Sequence, residues 1–177
     1  IAVWIRFNND SRFNSFQEIF NNGQFFLRKN SQGEGNRMAV FVDFADGTVE
    51  PRAQSAAGLI PERWYHAVGT WDGTSLSLYL DGRLESRRTR VGTLLPPVPA
   101  TIGAGQRSNT SVNFASGRVD ELMIFGRALT DAEALALRGL GHADAPGLGR
   151  LHDLEKRRRP QTFQFRARPL EQMPEDI

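Results

Sequence analysis

Two Asp-Gly dipeptides, Asp72-Gly73 and Asp81-Gly82, do most to limit what this chain can become. Between them runs Ser75–Leu80, where Leu76, Leu78 and Leu80 alternate with Ser75, Ser77 and Tyr79. Strict alternation marks a strand with one apolar face. Asp-Gly between such runs marks a tight hairpin, because both residues reach positive φ at low cost. With strand-like Trp64–Trp71 before it and Arg83–Arg88 after it, the stretch reads as a three-stranded antiparallel meander.

The same signals extend toward both ends. Ile1, Val3, Ile5 and Phe7 alternate with Ala2, Trp4 and Arg6, and a polar, Asn-rich loop follows over 8–15. Gln17–Phe20 and Gln24–Lys29 flank the turn Asn21-Asn22-Gly23. In the next run Met38, Val40, Val42 and Phe44 share one face, Ala39, Phe41 and Asp43 the other, and Asp46-Gly47 closes it. Leu94–Pro99 is a proline-rich connection, Ala100–Ala104 a short strand, and Gln106–Asn113 a polar loop. Phe114–Phe125 reads as a strand with Val119, Met123 and Phe125 opposite Leu122 and Ile124, hence covered on both sides. Thr130 and Glu133 then fit a capping box, Ala132–Arg138 a short helix, and Gly139 its C-cap. Beyond Gly139 the pattern fades into a Pro- and Gly-punctuated arm, with Gln161–Arg168 as one possible strand in it.

Trp64-Tyr65-His66-Ala67-Val68-Gly69-Thr70-Trp71-Asp72-Gly73 and Leu78-Tyr79-Leu80-Asp81-Gly82 resemble the laminin-G-like jelly-roll family of the concanavalin-A-like lectin/glucanase superfamily. Ile102-Gly103, then Gly117-Arg118-Val119-Asp120-Glu121-Leu122 with Arg127-Ala128-Leu129-Thr130, resemble its later strands and helical exit in the same order. The resemblance covers roughly 1–138. It implies an all-β fold, an antiparallel two-sheet jelly-roll sandwich with one short helix; the tail does not match the family and reads as an extended C-terminal arm over 139–177. The family's usual strand ahead of the first tryptophan strand is missing, so another region supplies it or an edge stays open for a partner.

The superfamily's hydrolases carry Glu-x-Asp-x-x-Glu or a close variant, which puts a nucleophile and an acid on one strand face. No Glu-x-Asp occurs here, and the nearest cluster, Asp43, Asp46 and Glu50, has an odd spacing that sends Asp43 and Asp46 to opposite faces. The expectation is therefore a non-catalytic binding or assembly module with no catalytic residue. A carbohydrate-binding module is the alternative, and a glycoside hydrolase ranks below it. Asp120 is the metal candidate, because relatives of this fold often hold a structural Ca²⁺ at that point with backbone carbonyls. No other cofactor is implied. His66 lacks a triad or metal partner in sequence and reads as structural, as do Trp4, Trp64 and Trp71. His142 and His152 read as solvated.

Net charge is +2, from 22 basic and 20 acidic residues, which argues against bulk nucleic-acid binding. The one basic run, Lys156–Arg159, is offset by Asp153, Glu155, Glu171, Glu175 and Asp176. Arg157, Arg158, Arg159, Phe163 and Phe165 are the partner-binding candidates. The arm is expected to lie across another protein surface, or else to wrap its own sandwich and add the missing strand, since an unpaired edge needs cover. All basic residues except Lys29 and Lys156 are arginine, a bias that suits a bacterial source. The expected setting is extracytoplasmic, within a larger protein or complex, with any membrane association through an anchor upstream of Ile1.

Overall fold

A computed structural model describes residues 1–48, 52–107, 110–139 and 163–166. The strands are β1 (Ala2–Phe7), β2 (Gln17–Asn21), β3 (Phe25–Lys29), β4 (Met38–Val42), β5 (Arg52–Gln54), β6 (Trp64–Trp71), β7 (Ser75–Leu80), β8 (Arg83–Thr89), β9 (Thr101–Ile102), β10 (Gly105–Arg107), β11 (Thr110–Val112), β12 (Ser116–Met123) and β13 (Phe163–Arg166), with helix α1 (Asp131–Gly139). One sheet runs β13-β12-β1-β6-β7-β8, the other β5-β4-β3-β2-β9, and β10-β11 is a separate hairpin. All recorded pairings in these sheets are antiparallel. The polar loop expected over 106–113 is thus mostly a hairpin, and β5 had no clear sequence signal because three residues are too few to show a period.

The meander forms as expected. Asp81 and Gly82 have φ of 52° and 77°, the paired positive values of the tightest hairpin turn. Gly73 has φ of 101°, and Asp72 Oδ1 accepts from the backbone N–H of Thr74 (2.8 Å) and Ser75 (2.6 Å). The two glycines differ in surroundings. A Cβ on Gly73 meets nothing within 4 Å, whereas one on Gly82 would lie 2.9 Å from Leu135 Cδ1 and 3.1 Å from Arg138 Cδ. Gly73→Val is expected to cost roughly 1 kcal/mol through backbone strain alone. Gly82→Val should cost more, because it also pushes α1 off the sheet. Equal losses in urea denaturation would mean that α1 does not press on this turn.

The main core lies between the sheets and includes Val3, Ile5, Phe7, Ile19, Leu27, Met38, Val40, Val42, Leu76, Leu78 and Val119. A second, smaller core of Ala2, Val68, Tyr79, Leu129 and Ala134 lies between α1 and the outer side of the six-stranded sheet. The capping box is present: Thr130 Oγ1 accepts from Glu133 N at 3.2 Å, and Glu133 Oε2 accepts from Thr130 N at 2.9 Å. Asp131 anchors the helix start, accepting from Tyr79 Oη (2.7 Å) and Arg87 Nη2 (2.8 Å).

Strand β12 is covered on both sides, but not by simple alternation. Its register with β1 shifts between Trp4 and Ala2, and Glu121 takes φ of 48°. This bulge adds one residue, so Val119 packs in the main core while Met123 packs in the second one. The sequence had put Val119 and Met123 on one face.

Candidate binding face

A Cβ on Gly69 of β6 would lie 2.8 Å from Val40 Cγ2 and 3.0 Å from Phe25 Cζ, so Val40 and Phe25 point at the opposite sheet. Alternation then turns Phe26 and Arg28 of β3, and Ala39 and Phe41 of β4, away from the opposite sheet, while Phe26 and Phe41 stay buried as part of the main apolar cluster. Register aligns Phe26, Phe41 and Arg52 in one row across three strands, and Arg28, Ala39 and Gln54 in the next. The rings of Phe26 and Phe41 stack at 4.7 Å with 7° between their planes.

Arginines cover this pair. The Arg28 guanidinium sits 4.6 Å from the centroid of Phe41 and 4.5 Å from that of Phe16. Its Nε donates to Asn30 Oδ1 at 3.0 Å. Arg52 lies 6.0 Å from the Phe41 centroid, and its Nη1 donates to Glu34 Oε2 at 2.7 Å. Each guanidinium is thus held near an aromatic ring by a hydrogen bond, which reduces the rotamer entropy a ligand would have to remove. Phe26, Phe41 and Arg28 are each only 8% exposed and Asn30 is buried, so the polar groups a ligand can reach on these rows are those of the half-buried Arg52 and Gln54. Glu18, also on this face, is buried and accepts from Asn21 Nδ2 (2.6 Å) and Asn113 Nδ2 (2.7 Å). Glu18 is therefore fixed by two amides and Glu34 by an arginine.

Sequence reasoning placed Phe41 on the face opposite Val40 but did not single it out. Phe26, Arg28 and Arg52 reach it through strand register, and alternation within one strand carries no register information.

The other expected sites fall elsewhere. On the outer side of the six-stranded sheet, Asp120 and His66 pair with Trp4 from its two sides. Trp4 and His66 rings are 5.1 Å apart, and all three residues are buried. Burial pushes the His66 imidazole down from 6.5 to about 4, with Asp81 opposing the shift and Arg138 adding to it. Asp120 Oδ1 accepts from Glu121 N at 2.9 Å. Calcium takes 6–8 oxygen ligands, and no group of three or more His, Cys, Asp or Glu side chains is placed for a metal among the described residues. An ion at Asp120 would therefore have to draw most of its ligands from backbone carbonyls. Asp46 acts in its turn, accepting from Thr48 N at 3.0 Å and pairing with Arg90, while Glu50 lies outside the described residues.

Of the arm, Phe163–Arg166 is described, and it pairs with β12 from Val119 to Ser116. These residues pair with the chain's own sandwich, as in the second placement that the sequence left open. The physical reason is the edge of β12, which would otherwise present unpaired N–H and C=O groups there. Arg157, Arg158 and Arg159, with the rest of the arm, lie outside the described residues, as do His142 and His152. Among the described residues, no helix is long and apolar enough to cross a membrane.

Two packed antiparallel sheets, with a helix on the outer side of one and an aromatic–guanidinium layer on the outer side of the other, define a jelly-roll sandwich of the lectin type. The chain belongs to the Concanavalin A-like lectin/glucanases superfamily, whose laminin-G-like family model matches residues 1–134. No curated protein sequence matches it. Among solved structures it is similar to a heptameric SAP-like pentraxin from Limulus polyphemus, with TM-score 0.61 and 17% identity over 77% of this chain and 67% of that one. It is also similar to the CBM40 domain of the Ruminococcus gnavus IT-sialidase bound to α2,3 sialyllactose, with TM-score 0.60 and 16% identity over 78% and 82% of the two chains. A third is the binding domain of Paraclostridial Mosquitocidal Protein 1, with TM-score 0.59 and 16% identity over 79% of this chain but 36% of that one. At these identities the likeness is one of fold.

Proposed function

We propose that this chain is a non-catalytic binding module of a larger extracytoplasmic protein or complex, and that it binds carbohydrate on the outer face of its five-stranded sheet. The observation that supports this most is the half-buried pair Arg52 and Gln54, set side by side on the sheet over a rigid buried layer of Phe26, Phe41, Arg28 and Asn30. Donors fixed in advance on a rigid sheet suit a ligand rich in hydroxyl and carboxyl oxygen. The likeness to a sialidase's carbohydrate-binding domain supports the reading at the level of fold. Two carboxylates of the face are engaged, Glu18 by amides and Glu34 by Arg52, which supports binding over hydrolysis.

The test is calorimetric titration of the whole chain against neutral and acidic oligosaccharides. Arg52→Ala is expected to weaken a bound glycan about tenfold or more, the worth of a charge-assisted hydrogen bond, with no loss of fold. No binding by any glycan, or binding untouched by Arg52→Ala and Gln54→Ala, removes this face from the account.

A structural calcium ion at Asp120, completed by backbone carbonyls, is part of the same proposal. Because bound metal stabilises only the folded form, chelation should then lower Tm, and Asp120→Ala should abolish that response. Identical melting of calcium-loaded and chelated protein would remove calcium from the role of Asp120.

A further inference from the structure

A strap of prolines crosses the outside of the sandwich. From β8, at the edge of one sheet, to β9, at the edge of the other, the chain passes through Leu94-Leu95-Pro96-Pro97-Val98-Pro99. Each proline fixes its own φ near −65° and forces the residue before it into extended backbone. Leu95, Pro96 and Val98 each precede a proline, so the segment favours polyproline II geometry, with three residues per turn.

Hydrogen bonding shows which side faces the protein. Only Leu95 and Val98 in the stretch 95–99 have an N–H, and both are turned inward, to Asp43 O at 3.0 Å and Asn22 O at 2.8 Å. They are three residues apart, one full turn, as this geometry requires. Val98 also rests on Gly23, where a Cβ would come within 2.8 Å of its Cγ2. Just upstream, Leu94 bridges to Phe44, and Thr93 O accepts from Ala45 N at 2.8 Å. Pro96 and Pro99, also three apart, therefore share a face turned away from these anchors. Every residue from Leu95 to Ala100 is exposed, and Val98, although anchored, keeps 47% of its surface.

We propose that this strap is a docking site for a protein domain with an aromatic-lined groove that reads polyproline II, taking Pro96 and Pro99 in adjacent pockets. Domains of the SH3, WW and EVH1 kinds show the chemistry such a partner needs: flat aromatic walls for the rings and donors for the backbone carbonyls between them. A free proline-rich peptide must be ordered on binding, but this one is pinned at both ends, so its partner meets the bound conformation already formed. The site is separate from the five-stranded sheet face and does not depend on the glycan reading.

The experiment titrates the whole chain with isolated SH3, WW and EVH1 domains, following both partners by NMR. The expected result is saturable binding of at least one domain, with shifts confined to residues 93–101 and their anchors. A Pro96→Ala/Pro99→Ala variant should lose that binding about tenfold or more while its Tm moves by no more than about 2 °C, because the rings it removes are exposed. If the double variant fails to fold, a free peptide of residues 92–101 must compete for the domain bound by the native chain. Failure of all the domains to bind, equal binding by the folded double variant, or failure of the peptide to compete overturns the proposal and leaves the prolines as stiffeners of the crossover.

Discussion

Acidification from pH 7 to pH 4 is expected to cost this fold about 3 kcal/mol through His66 alone, at about 1.4 kcal/mol per unit of pKa displacement. His66 is fully buried in β6. Its backbone is fixed by Asp81, whose Oδ1 accepts from His66 N at 3.0 Å and whose N donates to His66 O at 2.7 Å. Neither ring nitrogen has a hydrogen-bond partner among the described residues. Burial therefore favours the neutral ring and lowers its pKa from 6.5 to about 4. In the unfolded chain the ring takes up its proton as pH falls through 6.5, while in the folded chain it resists until about 4. The unfolded state thus binds more protons in that window. The contribution is intact above pH 6.5 and is lost as pH falls to 4. Urea denaturation at intervals between these limits measures it. His66→Leu should flatten the slope while staying within about 1.5 kcal/mol of the parent at pH 7, because it leaves no donor or acceptor stranded. A variant with the parent's pH slope would place the acid sensitivity elsewhere.

Gly69→Val should be the most damaging of the glycine substitutions considered for β6, β7 and their turns, at about 2 kcal/mol or more. Gly69 of β6 packs directly against the opposite sheet. A Cβ there would lie 2.8 Å from Val40 Cγ2, 3.0 Å from Phe25 Cζ and 3.3 Å from Val40 Cβ. Side chains in a packed core cannot give way by that much without leaving their rotamers. If the clash is with Val40, Val40→Ala should recover part of the loss in the Gly69→Val background, although alone it is destabilising. A double-mutant cycle reads this coupling directly. Strictly additive losses would mean that the sheets separate at Gly69 instead of meeting there.

The meander around Asp72-Gly73 and Asp81-Gly82 was legible because its cause is local: turn chemistry and alternation act over six or eight neighbouring residues. The capping box at Thr130 and Glu133 was legible for the same reason. The β12 bulge was not. Nothing in Val119–Met123 marks Glu121 as the extra residue, which becomes defined only when β12 is laid against β1. Likewise, β10 and β11 are three residues each, too short to display a period.

The sequence alone determined the order of the principal strands, the helix and its cap, and its motifs resembled those of the family whose fold it has. The strands and helix follow from backbone preference and from which side chains avoid water, quantities that each short stretch carries by itself. Only the tertiary structure decided what lies beside what. It brought Phe26, Phe41, Arg28 and Arg52 onto one face from three strands, buried His66 beside Trp4, and set Phe163–Arg166 against the edge of β12. Register and sheet packing couple residues far apart in the chain, and the free energy that selects them belongs to the contact between segments, so neither segment's sequence contains it.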